Sequence, residues 1–243
     1  KVFDPKLRGR NTRLWRFVRE ARITGQLEHP NIPPIYEVGV TAEGQPYFVM
    51  KLVKGRSLEE TLAALRETGE AASDRARLLA AFLKICDAVA YAHSRGVVHR
   101  DLKPANVMVG EFGEVLVLDW GIAKVLHEEP LEPPSGSSSG SHDAMKTQDG
   151  DLLGTPLYAA PEQLLGHADQ VDERSDVYSL GALLYEILAF ERPYPAKTFQ
   201  ELGEAVEGGH LVPPSVRSPW AAIPREIDAV VARAMATDPG RRY

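Results

Sequence analysis

His99, Arg100, Asp101, Lys103 and Asn106 stand within eight consecutive residues. They bring an imidazole, a guanidinium, a carboxylate, an ammonium and a carboxamide together, and Pro104 bars a helix through them. So dense a set of unlike polar groups suits neither a helix face nor a strand. It lies between Val97-Val98 and Val107-Met108-Val109, two short apolar runs that read as buried strands. A polar loop pinned between strands is where a rigid scaffold places chemistry. Asp119 lies eighteen residues beyond Asp101, at the end of a further strand-like run over 114–118. Two carboxylates and an amide oxygen converging at strand ends offer the hard oxygen ligands that suit Mg²⁺ bridging to phosphate. Lys103 brings a positive charge to the same place. Taken alone, the loop could equally be a surface segment with scattered ion pairs.

The elements that must hold this loop follow from periodicity. Residues 1–3 resemble the tail of a strand. Over 12–27, Leu14, Phe17, Val18, Ala21 and Leu27 fall at helical spacing. Strands are expected at 35–40 and 47–53 around a Glu43-Gly44 turn. Beyond Val53 the chain turns mostly helical. Ser57 and Glu60 form a capping box that opens one helix. A longer helix over 73–95 places Leu78, Leu79, Phe82, Leu83, Cys86, Val89 and Ala90 on one face, and Gly96 stops it. Residues 127–151 are rich in Pro, Ser, Gly and acids without periodicity, which reads as a mobile loop. Later helices are expected at 161–165, 174–190, 199–207 and 225–236. The class is α+β.

Composition narrows the partners. The 243 residues are 44% apolar and 26% charged, ordinary values for a globular protein. A net charge of −6 carries no nucleic-acid signature. Cys86 is the single cysteine, so no internal disulfide forms. The longest apolar run, 177–190, contains Tyr, Ser and Glu and is too short to cross a bilayer. The chain opens on Lys rather than Met and stops after Arg241-Arg242-Tyr243, so both ends read as cut.

The stretch from His99 to Asn106, then Asp119-Trp120-Gly121, then Ala160-Pro161-Glu162, is similar to the signature set of the protein kinases, in the family's order. Gly154-Thr155-Pro156-Leu157-Tyr158, Asp176-Val177-Tyr178-Ser179-Leu180-Gly181 and Asp238-Pro239-Gly240-Arg241-Arg242 match three further family motifs. Lys103 marks the serine/threonine branch, and Asp-Trp-Gly-Ile-Ala-Lys resembles the eukaryotic-type (Hanks-type) kinases of bacteria. The likeness covers all 243 residues. It implies a two-lobed α+β fold. A partial, β-rich N-lobe would occupy 1–52, and a mainly helical C-lobe 53–243, with the activation segment at 119–162.

The resemblance also implies roles. Asp101 would orient the substrate hydroxyl for in-line attack on the γ-phosphate of ATP, and Lys103 would offset charge on the moving group. Asn106 and Asp119 would hold Mg²⁺. His99 and Trp120 would stack inside the fold, with Trp120 standing where Phe is usual. Lys1 would bind phosphates and Glu20 would be its helix partner. Met50 would stand at the back of the adenine pocket, the Lys51 carbonyl and Val53 amide would meet the purine edge, and Met108 would form its floor. Arg100 would await a phosphate on the activation segment. The candidate acceptors are Ser135, Ser137, Ser138, Ser139, Ser141 and Thr147, with Thr147 nearest the ordered end. Thr155 would contact Asp101 and Lys103. Asp176 would cap the buried helix and bond the loop backbone, and Glu162 would pair with Arg242. Arg10, Arg13, Arg16, Arg19 and Arg22 read as a solvated helix face, and Cys86 and His93 as packing residues.

Two readings of function follow. One is a segment of an active serine/threonine kinase working on protein hydroxyls in the cytoplasm, with self-association for phosphorylation in trans. The other is a kinase-like scaffold without activity, because the Gly-rich loop of the family would precede Lys1. On that ground residues 1–243 alone are expected to bind ATP weakly. Small-molecule phosphotransferases of similar fold lack the Ala160-Pro161-Glu162 segment. Ser57 and Ala105, where acids would select basic substrates, give no such signal.

Overall fold

Residues 1–3, 10–68, 71–120, 123–125 and 156–243 are described by a computed structural model. Its N-terminal part is a small sheet with one helix on it. Helix α1 (Arg10–Gly25) is followed by the antiparallel strands β1 (Ile35–Val40) and β2 (Pro46–Met50), with Val38 opposite Phe48. Residues 1–3 run along the other side of β2, where Val2 bridges Tyr47. The apolar face of α1 seats on this sheet through Phe17, whose ring lies 4.8 Å from Phe48 and 5.8 Å from Phe3. Periodicity carried the expected helix to 27, but the helix ends at Gly25. Leu27 then turns back into the core, its amide bonded to the Thr24 carbonyl. The strand expected to reach Val53 ends at Met50. Its apolar run continues as a connection, with Leu52 exposed.

That connection leads into the helical part. Gly55 has φ 127°, and a Cβ there would sit 2.4 Å from the Val109 carbonyl oxygen. Only glycine fits. It brings β3 (Arg56–Ser57) against β5 (Val107–Val109), which pairs on its other side with β6 (Val115–Val117). Helix α2 (Leu58–Thr68) opens with the expected capping box: Ser57 N–H donates to Glu60 and Glu60 N–H to Ser57 Oγ. Helix α3 (Ala71–Ser94) follows, then β4 (Val97–Val98), which pairs with β7 (Lys124–Val125). The runs flanking the polar loop therefore belong to two different sheets.

The remaining helices are α4 (Pro161–Leu164), α5 (Glu173–Ala189), α6 (Phe199–Glu207), α7 (Pro214–Arg217) and α8 (Arg225–Ala234). Apolar or small on nearly every face, α5 is the buried axis of the core, as a helix of that pattern must be. Gly181 lets α8 approach it, since a Cβ there would meet Met235 at 2.7 Å and Ala234 at 2.9 Å. Among the described residues no helix is long and apolar enough to cross a membrane.

Candidate active site

Asp101 sits on a loop tied at both ends. Upstream, the Asp176 carboxylate accepts from the His99 and Arg100 amides, each at 2.8 Å. His93 of α3 meets the same carboxylate through Nε2 at 2.8 Å, so it anchors the loop rather than merely packing. Arg100 is held at φ 72°, a left-handed conformation uncommon for a residue with a Cβ. The Asp101 amide donates to His99 Nδ1 at 3.2 Å, so His99 Nε2 carries the proton that meets the Leu118 carbonyl at 3.0 Å. Downstream, Pro104–Asn106 forms one 3₁₀ turn. Asn106 Nδ2 returns to the Asp101 carbonyl at 2.8 Å and to Asp101 Oδ2 at 3.0 Å. Lys103 Nζ lies 2.8 Å from that same Oδ2. No hydrogen bond among the described residues engages Oδ1.

Asp119 follows β6. The Leu118 amide donates to the Asn106 carbonyl at 2.8 Å, which sets the chains carrying Asn106 and Asp119 side by side. Asp119 also adopts a left-handed backbone, with φ 64°. Its carboxylate has no hydrogen-bond partner among the described residues, and neither does Asn106 Oδ1, because Asn106 engages Asp101 through its amide nitrogen. These two oxygens fit Mg²⁺, which takes one or two protein oxygens and completes its shell with water and phosphate. No cluster of three or more His, Cys, Asp or Glu able to hold a metal occurs among the described residues, as would be required for a metal caged by protein alone.

On the sheet side, Lys1 Nζ lies 2.5 Å from Glu20 Oε1 and 5.5 Å above the Phe48 ring. Burial pushes the Glu20 carboxyl above its ordinary pKa, Lys1 pulls it back, and the nearby charge of Asp119 adds to the rise. Glu20 thus lies within electrostatic reach of the Asp119 charge. Met50 ends β2 opposite Ile35, and Met108 on β5 stands opposite Leu116 and Ser57. The Lys51 amide donates to the Pro34 carbonyl at 3.1 Å. Among the described residues the Lys51 carbonyl and the Val53 amide have no hydrogen-bond partner. A groove of about 750 Å³ between the end of α1 and β1 includes Leu27, His29, Tyr36 and Lys51, and shares only Lys51 with this constellation.

Several placements depart from expectation. Asp176 does not cap α5. The helix starts earlier, and Asp172 is its cap, accepting from the Arg174 amide at 2.8 Å. Inside the first turn, Asp176 uses both its oxygens on the loop instead. His99 and Trp120 meet edge-on, at 61° and 4.5 Å between centroids, rather than stacked. Arg19 lies over the Trp15 ring, 4.7 Å from its centroid. The side chains of Arg10, Arg13 and Arg16 lie outside the described ones. Thr147 and Thr155 lie outside the described residues, as do Ser135, Ser137, Ser138, Ser139 and Ser141.

Glu162 and Arg242 form a buried two-pronged pair at 2.8 and 2.9 Å, to which Ser175 Oγ adds a bond of 2.6 Å. Burial pushes the Glu162 carboxyl up, but the hydrogen bonds of Arg242 and Ser175 outweigh it and hold the pKa below its ordinary value. Burial lowers the pKa of the Arg100 guanidinium, against the pull of Asp176, and Arg100 Nε is buried without a hydrogen-bond partner among the described residues.

Two groups escaped the sequence. Gln163 Nε2 donates to the Arg100 carbonyl at 2.8 Å while its oxygen accepts from the Ala160 amide at 3.0 Å, so one side chain joins α4 to the loop. Its place three residues past Ala160 hinted at a helix-start role, but nothing pointed to Arg100. Tyr158 donates to buried Glu186 at 2.5 Å, and Arg66 of α2 binds the other oxygen of Glu186. That triad spans 120 residues of sequence and has no local signal.

A loop carrying Asp101, Lys103 and Asn106, a strand end carrying Asp119, and a lysine–glutamate pair joining a small sheet to its helix define the class, and the chain belongs to the protein kinase domain family, whose model matches residues 1–243. Its fold is that family's two-lobed mixture of helix and sheet. The chain is similar to the serine/threonine-protein kinase PknD of Protochlamydia amoebophila strain UWE25, with 36% identity over 237 residues, 94% of this chain and 24% of that protein. It is also similar to PknD of Chlamydia pneumoniae, with 38% identity over 237 residues, 94% of this chain and 25% of that protein. The chain spans about a quarter of the length of these curated relatives.

Proposed function

We propose that this chain is the catalytic domain of a serine/threonine protein kinase that transfers the γ-phosphate of ATP to Ser and Thr hydroxyls of proteins. The observation that carries the reading is the asymmetry of Asp101. Lys103 and Asn106 hold Oδ2, while Oδ1 has no hydrogen-bond partner among the described residues. A carboxylate steadied by one oxygen and open at the other is suited to orient an acceptor hydroxyl and take its proton. As the hydroxyl oxygen bonds to the γ-phosphorus, the bond from that phosphorus to the β–γ bridging oxygen breaks, and the proton goes to Asp101 Oδ1.

The other residues take supporting parts. Lys103 offsets charge on the transferring group, and Lys1, braced by Glu20, binds the phosphates further from the acceptor. Asn106 and Asp119 would hold Mg²⁺, whose charge lowers the cost of the negative charge on the β- and γ-oxygens. Met50, Met108, the Lys51 carbonyl and the Val53 amide form the purine site. The lobes divide near residue 52, and the activation segment is 119–162. The Nε of Arg100, without a hydrogen-bond partner among the described residues, favours regulation by a phosphate on that segment, with Thr147 its foremost carrier and a second copy of the chain transferring it there from ATP. The reaction runs in the cytoplasm, where ATP is supplied.

A scaffold without activity has no need of Asp101, Lys103, Asn106 and Asp119 together. Incubating the full-length protein with γ-labelled ATP, Mg²⁺ and a mixed protein substrate is expected to yield labelled phosphoserine and phosphothreonine. Label on neither amino acid would overturn the reading in favour of the scaffold.

A further inference from the structure

We propose that Trp120 is a positioning residue for Asp119, acting through its indole N–H. The proposal rests on the kinase reading above. Asp119 keeps a left-handed backbone, φ 64°, which a residue with a Cβ retains only where its surroundings enforce it. The enforcement is visible in the bonds on either side. Before Asp119, the Leu118 amide is bound by the Asn106 carbonyl at 2.8 Å and the Leu118 carbonyl by His99 at 3.0 Å. Val117, on the last position of β6, has its amide bound by the Asn31 carbonyl at 2.8 Å. Its carbonyl accepts the Trp120 indole N–H at 3.2 Å.

That last bond closes a ring of chain around Asp119. It runs from the carbonyl two residues before it to the side chain one residue after it. Trp120 is 1% exposed and its ring meets the edge of His99, while its own carbonyl accepts the Ala123 amide at 3.1 Å. Swinging the indole out of this place would leave the buried Val117 carbonyl without its donor and expose a large apolar ring to water, both of which folded proteins avoid. A phenyl ring at this position fills space but cannot make the bond. The indole therefore holds the Asp119 backbone, on the chain that runs beside Asn106, in the conformation that suits a divalent cation.

The test compares the full-length protein with two variants: Trp120→Phe, and a form in which Trp120 is replaced by benzothienylalanine, which keeps the indole shape but has sulfur in place of the N–H. Calorimetry reads the affinity for ADP with Mg²⁺ and for ADP in EDTA. Both variants are expected to lose roughly three- to tenfold in the Mg²⁺-dependent affinity, the span of one net hydrogen bond, and nothing in EDTA. In the unaltered protein the Trp120 indole proton is expected to exchange at least about a hundredfold more slowly than that of Trp220, which is 59% exposed. Unaltered Mg²⁺-dependent affinity in both variants, or fast exchange of the Trp120 proton, would overturn this inference alone. An unsubstituted protein that binds ADP no better with Mg²⁺ than without it would overturn the kinase reading as well.

Discussion

Two ion pairs, one at each end of the chain, show how differently one kind of contact behaves. Lys1 and Glu20 meet where the lysine side chain is 48% exposed and the glutamate 12%, through a single lysine nitrogen. Arg242 and Glu162 meet at 0% and 3%, by two parallel hydrogen bonds reinforced by Ser175. Both carboxylates lose water. Only at Glu162 do the partners make up for it, so burial wins at Glu20 and the pKa shifts run in opposite directions. The lesson is a division of labour. The C-terminal pair is a fixed strut between α4 and the chain end. The N-terminal pair is a more exposed contact, joining residues 1–3 to α1.

The strongest way to break this comparison is at the strut. Arg242→Ala leaves a buried carboxylate without its partner and is expected to cost about 3–5 kcal/mol of stability, read from urea unfolding. A loss comparable to that of a surface substitution would erase the contrast. Next in size, Glu20→Gln is expected to lower kcat/KM for ATP about tenfold, while changing stability by no more than about 1 kcal/mol, as befits a half-exposed pair. Equal damage to fold and turnover would make Glu20 structural.

The finest test is acidification. Glu20, with a raised pKa, takes up its proton above the ordinary carboxylate range and so releases Lys1 early. Its protonation favours the folded state, so stability does not fall with it. Glu162, with a lowered pKa, adds stability that is complete above that range and disappears only as pH falls through its lower folded value. Transfer is therefore expected to fall at a higher pH than unfolding begins, read from rate and circular dichroism on the same samples. Coincident loss would contradict the assignment of the two shifts.

How much of this could be read from the residues follows the range of each interaction. The Asp101 loop was legible because its chemistry is packed into eight residues, and α5 because its apolar character is continuous. Asp172 and Asp176 lie four apart, and only the start of the helix decides which one caps it. The apolar residues Leu52 and Val53 continue the pattern of β2 and so misled, because the chain leaves the sheet after Met50 while its composition does not change. Gln163 to Arg100, and Arg66 to Glu186, depend on segments brought together from distant sequence, so no spacing rule could have found them. The indole bond of Trp120 is local, but whether its N–H meets a carbonyl depends on where β6 ends.

The most direct test of the account is phosphoryl transfer by Asp101→Asn at a temperature where both forms are folded. Asparagine retains the shape and the neighbours of Asp101 but cannot take the proton. A fall of about 10²–10⁴-fold in kcat with nucleotide affinity preserved is the expected result. Transfer within a few-fold of the unaltered protein would show that Asp101 is not the residue on which the reaction turns.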